Sequence, residues 1–180
     1  EKGFANVVKF TIKFCRKHNM KLIFAKKKEK AHLAGRKIEI DFFKKYLNND
    51  EFKYITNNSL EKTNKYTSYK AMFQSRVAVA NGSTMLREKL SVGEKILSCN
   101  LTPTNIYNFP IEGICSIKNC NFQQFEKRLL KIYSMSKKNY FSKMKKSNCY
   151  TAAYDKKVST IKILKRKIDY FLADKRLLKN

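Results

Sequence analysis

The chain has 180 residues, with 40 Lys plus Arg against 14 Asp plus Glu, a net charge of +26. Its 43% apolar and 13% aromatic residues are enough for a core, which excludes a wholly disordered basic tail, and its 5 Gly and 2 Pro exclude collagen-like and Pro-rich classes. No run approaches the ~20 apolar residues that cross a bilayer, because Lys interrupts every one. The elements then follow in chain order. Phe4, Val7, Val8, Thr11, Phe14 and Cys15 recur at helical spacing, and Asn19 reads as the stop. Lys21 to Ala25 is a short apolar run that reads as a strand, followed by the basic segment Lys26 to Lys30. Ile38, Phe42, Phe43, Tyr46 and Leu47 predict a helix, Phe52 to Ile55 a weak strand, Asn57 to Ser59 a loop, and Thr67 to Ser75 a short helix.

The most informative stretch comes next. Arg76 to Ala80 reads as a strand of small and β-branched residues, and Asn81-Gly82-Ser83-Thr84 as a tight polar turn. Met85 to Leu90 reads as a helix closed by Gly93, and Lys95 to Cys99 as the following strand. Together they make a βαβ unit. After a loop with Pro103 and Pro110, Ile114 to Ile117 is a further strand. Phe122, Phe125, Leu129, Leu130 and Ile132 predict a long amphipathic helix capped by Asn121, and Ser136 caps another around Tyr140, Phe141 and Met144. Ile161, Leu164, Ile168, Phe171 and Leu172 predict a final amphipathic helix. Helices alternating with short apolar strands imply a layered α/β fold with an open, mostly parallel sheet. A single domain over 1–174 and a loose tail over 175–180 are expected, without internal repeat. The first residues lack a signal-peptide layout, and the chain opens without Met inside what reads as a helix, so a fragment or processed product is expected.

Cys15, Cys99, Cys115, Cys120 and Cys149 are odd in number and form no disulfide framework, which points to a reducing compartment. Cys115 and Cys120 are too widely spaced for a zinc ribbon, and only His18 and His32 could join them. Cys99 reads as a small apolar residue packed in a strand. Lys dominates the basic residues and travels with Asn, Ile, Tyr and Phe, a mixture that an A+T-rich coding sequence also produces. The charge still attracts phosphates, anionic lipids or nucleic acid.

Ligands of open α/β sheets bind outside the carboxyl ends of the strands. Two segments lie at such ends. At Gly82-Ser83-Thr84 a helix start offers unpaired N–H groups and the positive end of its dipole, Gly permits close approach, and the hydroxyls can donate to an anion. Plain N-capping by Ser83 or Thr84 is the alternative. Lys27, in the basic segment, can reach a phosphate as a point charge or be a solvated loop residue. Glu88, four residues after Thr84, shares its helix face and can accept from two ribose hydroxyls, or pair with a neighbouring Lys.

The run Ser68 to Leu97 resembles the donor-binding lobe of GT-B glycosyltransferases, and Phe109 to Ile114 with Phe122 to Met135 is similar to bacterial surface-polysaccharide members. The resemblance implies a three-layer Rossmann-like fold with helices on both faces of the sheet. It implies Gly82, Ser83, Thr84 and Lys27 on the donor phosphates and Glu88 on the donor ribose. It implies sugar transfer from a nucleotide-sugar donor to a glycan or lipid-linked acceptor, at the inner face of the membrane in the cytoplasm. The helix start and Lys would stabilise the leaving group, without metal or other cofactor. A second, N-terminal acceptor lobe would lie outside this chain, and the catalytic base with it. His18 and His32 read as surface residues. One departure is Lys89-Leu90-Ser91, which puts charge where the family carries small residues. The competing readings are a nucleic-acid-binding module, from +26 with interleaved aromatics, and a peripheral membrane adaptor, from the basic final helix on an anionic membrane surface.

Overall fold

The computed structural model describes residues 1–26, 33–60, 66–144 and Lys165. Helix α1 (Lys2–Lys17) is followed by β1 (Phe24–Ala25), α2 (Leu33–Tyr46), α3 (Asn49–Asn57), β2 (Ser59–Leu60) and α4 (Thr67–Gln74). Then come β3 (Ala78–Ala80), α5 (Thr84–Ser91), β4 (Ile96–Asn100), β5 (Ser116–Lys118), α6 (Phe122–Ser134) and α7 (Lys137–Ser142). The predicted helix over 161–172, the tail, Lys27 and His32 lie outside the described residues.

Local chemistry explains most boundaries. Asn121 accepts from Gln124 N at 2.9 Å while Gln124 Oε1 accepts from Asn121 N at 3.0 Å, a reciprocal box that starts α6. Ser136 Oγ accepts from Asn139 N at 3.2 Å and starts α7. Asn19, at φ 48°, ends α1, with Met20 N donating to Cys15 O at 2.8 Å. Gly93 does the same for α5: at φ +83° it lets Glu94 N reach Lys89 O at 3.2 Å and Gly93 N reach Leu90 O at 3.0 Å.

The strands are parallel. β1 pairs with β2, and β3, β4 and β5 form a second sheet with β4 central. This is a mixed α/β, Rossmann-like architecture, its strands divided between two small sheets among the described residues. The β3–α5–β4 crossover is the unit predicted over 76–99, with α5 opening at Thr84. All five residues of β4 are buried, so both faces of its sheet are covered.

Three expectations are corrected. Phe52 to Ile55 is not a strand but the middle of α3, because Asn48 and Glu51 form a second capping box at 2.8 and 3.0 Å. The predicted Asn57–Ser59 loop shrinks to Asn58, since α3 runs to Asn57 and β2 starts at Ser59. The 21–25 run keeps only Phe24 and Ala25 as strand, matching a partner of two residues.

α1 joins two apolar clusters. Val7, Phe14 and Cys15 enter the larger one, with Leu86, Leu90, Leu97, Phe125, Leu129 and Tyr140 around β4. Ile12 enters the smaller one, with Leu47 and Ile55. The amino end of α1 is seated on the segment leaving β4, so closely that a Cβ on Gly3 would lie 2.5 Å from Leu101 O.

Candidate functional site

The carboxyl end of β3 feeds directly into the turn singled out from sequence. Gly82 stands at φ +59°, and a Cβ there would come within 3.0 Å of the Tyr107 ring. Glycine is therefore favoured twice, by the left-handed backbone and by an aromatic ring that a side chain would have to push aside. Ser83 is the extended N-cap residue of α5, and its side chain makes no capping bond. Thr84 opens the helix and is exposed. Gly82, Ser83 and Thr84 are thus contiguous at a helix start, beyond the end of a parallel strand.

Glu88 follows one turn later and is half-buried. The phenol of Tyr69 on α4 is its neighbour. The Glu88 carboxylate first, and burial second, hold the Tyr69 phenol above its ordinary value. Lys27 is outside the described residues; Ser68 Oγ donates to the carbonyl of Lys26 beside it at 3.4 Å.

Lys89, the departure from the resembled family, is fully buried. Its ammonium donates to Met72 O, Ser75 O and Ser75 Oγ, the last at 3.0 Å, and so closes the carboxyl end of α4. Burial pulls its pKa down to about 8. The charge in this position holds α4 against α5 instead of facing solvent.

His18 was read as a surface residue. It is instead partly buried and paired: Nε2 lies 2.7 Å from Glu126 Oε1, and Lys17 Nζ lies 2.8 Å from the same oxygen. Lys17 first, then His18, hold the Glu126 carboxyl below its usual range. This cluster ties the end of α1 to the first turns of α6.

Two residues escaped the sequence reading. Asn100, the last residue of β4, is buried, and its amide donates to Thr104 O and Asn108 Oδ1, both at 2.8 Å. Its Oδ1 accepts from Thr102 N at 2.9 Å and Thr102 Oγ1 at 2.7 Å. One carboxamide thereby sets the loop that carries Tyr107 against Gly82. Asn81, beside Gly82, has both side-chain polar atoms enclosed without a hydrogen-bond partner. Asn is a common turn residue, which masked both roles in the sequence.

Among the described residues no helix is long and apolar enough to cross a membrane. No curated protein and no solved structure matches the chain. The profile of one family, described as "putative O-antigen biosynthesis protein", matches residues 5–169. With an α/β fold, a polar helix start at the sheet's carboxyl edge and a match over nearly its whole length, the chain belongs to that O-antigen biosynthesis family and is linked through it to polysaccharide biosynthesis.

Proposed function

We propose that this chain binds a nucleotide-sugar donor, as the donor lobe of a glycosyltransferase that builds a surface polysaccharide. The observation that carries the reading is the start of α5: an exposed Thr84 and an N-cap Ser83 whose side chain makes no capping bond, with Glu88 one turn away. N–H groups at a helix start and the dipole behind them favour phosphate. Ser83 and Thr84 hold the donor phosphates, Gly82 lets them approach the backbone, and Lys27 adds positive charge. Glu88 accepts from the ribose hydroxyls. A bound donor would also give polar company to Asn81. The acceptor is a glycan or a lipid-linked glycan, and a second lobe supplies its site and the catalytic base. The leaving nucleotide is stabilised by the helix start and Lys.

The test is a calorimetric titration with UDP-, GDP- and dTDP-hexoses. One of them binds the wild-type chain, and Glu88→Ala weakens it about tenfold or more, the scale of losing one or two hydrogen bonds to a charged group. Its melting temperature stays within about 3 °C of wild type, since a half-exposed substitution costs little. Unchanged binding in the variant, or no binding of any donor, removes the ribose role and the lobe with it.

A second reading has one observation in its favour. Tyr66, Tyr69 and Phe73 are exposed along α4, at 63%, 37% and 45%, on a strongly cationic chain. Such rings can stack bases. Tight single-stranded DNA binding with a steep salt dependence, and no response to nucleotide sugars, would establish that reading in place of the first.

A further inference from the structure

Asn81-Gly82 is the one Asn-Gly pair in the chain. It lies between β3 and α5 and belongs to neither, so no strand ladder or helix bond fixes its backbone. The Gly82 N–H donates to no acceptor among the described residues. The Asn81 carboxamide has no hydrogen-bond partner either, so packing alone holds it. Other asparagines are tied down. Asn48 and Asn121 cap helices through their side chains, and Asn58 Nδ2 donates to Tyr54 O at 2.9 Å. Asn100 is bonded through both ends of its amide. Asn19 and Asn119 share a positive φ, but Met20 and Cys120 follow them, and a Cβ then crowds the next backbone nitrogen.

We propose that Asn81 is a self-modification site, where the folded protein converts asparagine to aspartate and isoaspartate through a cyclic imide with Gly82. The attacking atom is the Gly82 nitrogen and the target is Asn81 Cγ, which the chain's own bonds place within reach as a five-membered ring. A glycine nitrogen is the least hindered backbone nucleophile, because no Cβ stands over it, and glycine follows the changed geometry most freely. The carboxamide breaks no hydrogen bond when it turns its carbon toward that nitrogen. Gly82 is exposed, so hydroxide and water reach the reacting bond from its side.

The chemistry balances in two steps. The Gly82 nitrogen gives its proton to hydroxide and bonds to Cγ, while the carboxamide nitrogen takes a proton from water and leaves as ammonia. Water then opens the imide. Attack at Cγ breaks the bond just formed and leaves aspartate. Attack at the Asn81 backbone carbonyl breaks the original peptide bond and leaves isoaspartate, with the main chain rerouted through the side chain. One water enters, one ammonia leaves, and nothing is oxidised or reduced. Either product puts a carboxylate beside the start of α5, and isoaspartate also lengthens the chain just before the glycine that Tyr107 covers. Under donor binding at Ser83 and Thr84, that charge opposes the phosphates. The consequence rests on that reading, whereas the modification rests on the turn alone.

The experiment holds the folded full chain at pH 8 and 37 °C in ¹⁸O-labelled water, then digests it briefly at acid pH in ordinary water. Only conversion during the incubation then carries the heavy oxygen. Peptide mapping finds the label at residue 81 first, at least about tenfold faster than at any other asparagine, a modest difference in barrier. Part of the labelled peptide is isoaspartate, which an isoaspartyl methyltransferase methylates. Asn81→Gln keeps its amide over the same period, because its longer side chain closes a larger ring poorly. If that variant does not fold, the labelled wild-type chain decides alone. Conversion confined to the chain unfolded in urea, label spread evenly over the asparagines, or aspartate formed without isoaspartate each overturn the proposal.

Discussion

Lys95→Met lowers the folding free energy by about 2–3 kcal/mol. Lys95 precedes β4 and is 4% exposed. Its ammonium donates to Ile132 O at 2.6 Å, Tyr133 O at 3.1 Å and Met135 O at 2.9 Å. These are carbonyls at the carboxyl end of α6, which find no partner within the helix, and a cation also suits the negative end of the dipole. Methionine keeps the length and most of the volume, so the cavity cost is small. Two effects then oppose each other. Removing the ammonium relieves the burial that lowers its pKa. It also orphans acceptors, at about 1–3 kcal/mol for each one that water cannot reach. Ile132 is fully buried, so at least its carbonyl stays unpaired, and the loss outweighs the relief. Urea unfolding of both proteins at pH 7 measures the difference; equal or greater stability in the variant would show that desolvation wins.

Lys89 gives the same arrangement a pH signature. Its folded value of about 8 lies below the ordinary 10.5, so between those values the unfolded chain holds more protons. Its contribution to stability therefore rises with pH across that window and is flat below it. Lys89→Met removes that rise. Unfolding free energies at pH 7.5, 9 and 10.5 for the variant and the wild type reveal it as a gap that changes with pH, and parallel curves would contradict it.

These two lysines mark the boundary of what the sequence discloses. The helices whose caps lie within their own few residues were legible: Asn121 with Gln124, Ser136, and Asn19 after α1. The β3–α5–β4 unit was legible for the same reason, since strand, turn, helix and strand are adjacent in the chain. α3 carried an equally local signal in Asn48 and Glu51, but a four-residue apolar run has no period that separates strand from helix. Nothing in the sequence marks Lys89 and Lys95 as buried, because their partners are the ends of other helices, 14 to 40 residues away. The candidate site divides along the same line. Gly82, Ser83 and Thr84 follow one another in sequence, while Tyr107 on Gly82 and Asn100 beneath that loop are long-range contacts that no spacing announces.

Tyr140→Phe costs about 2–4 kcal/mol, although it deletes one oxygen and leaves the ring in place. β4 begins at Ile96, but β5 pairs with it only from Ser98 onward. The backbone of Ile96 would otherwise face the core unpaired. The Tyr140 hydroxyl fills the missing strand position: it donates to Ile96 O at 2.7 Å and accepts from Ile96 N at 3.2 Å. Both residues are fully buried, and burial holds the phenol far above its ordinary value, so it stays a neutral donor and acceptor. Phenylalanine preserves the edge-on contact with Phe141 at 5.2 Å. What it removes is the partner of two enclosed backbone groups, each costing about 1–3 kcal/mol when orphaned. Packing arguments alone predict a near-neutral change, so the two accounts separate cleanly. Thermal unfolding gives the magnitude, and hydrogen exchange gives the place. The Ile96 amide loses protection in the variant beyond the global change, while Leu97 and Ser98, held by the strand ladder, follow the global change only. A variant as stable as wild type, or one whose amides all shift together, would mean that the hydroxyl does not stand in for a strand.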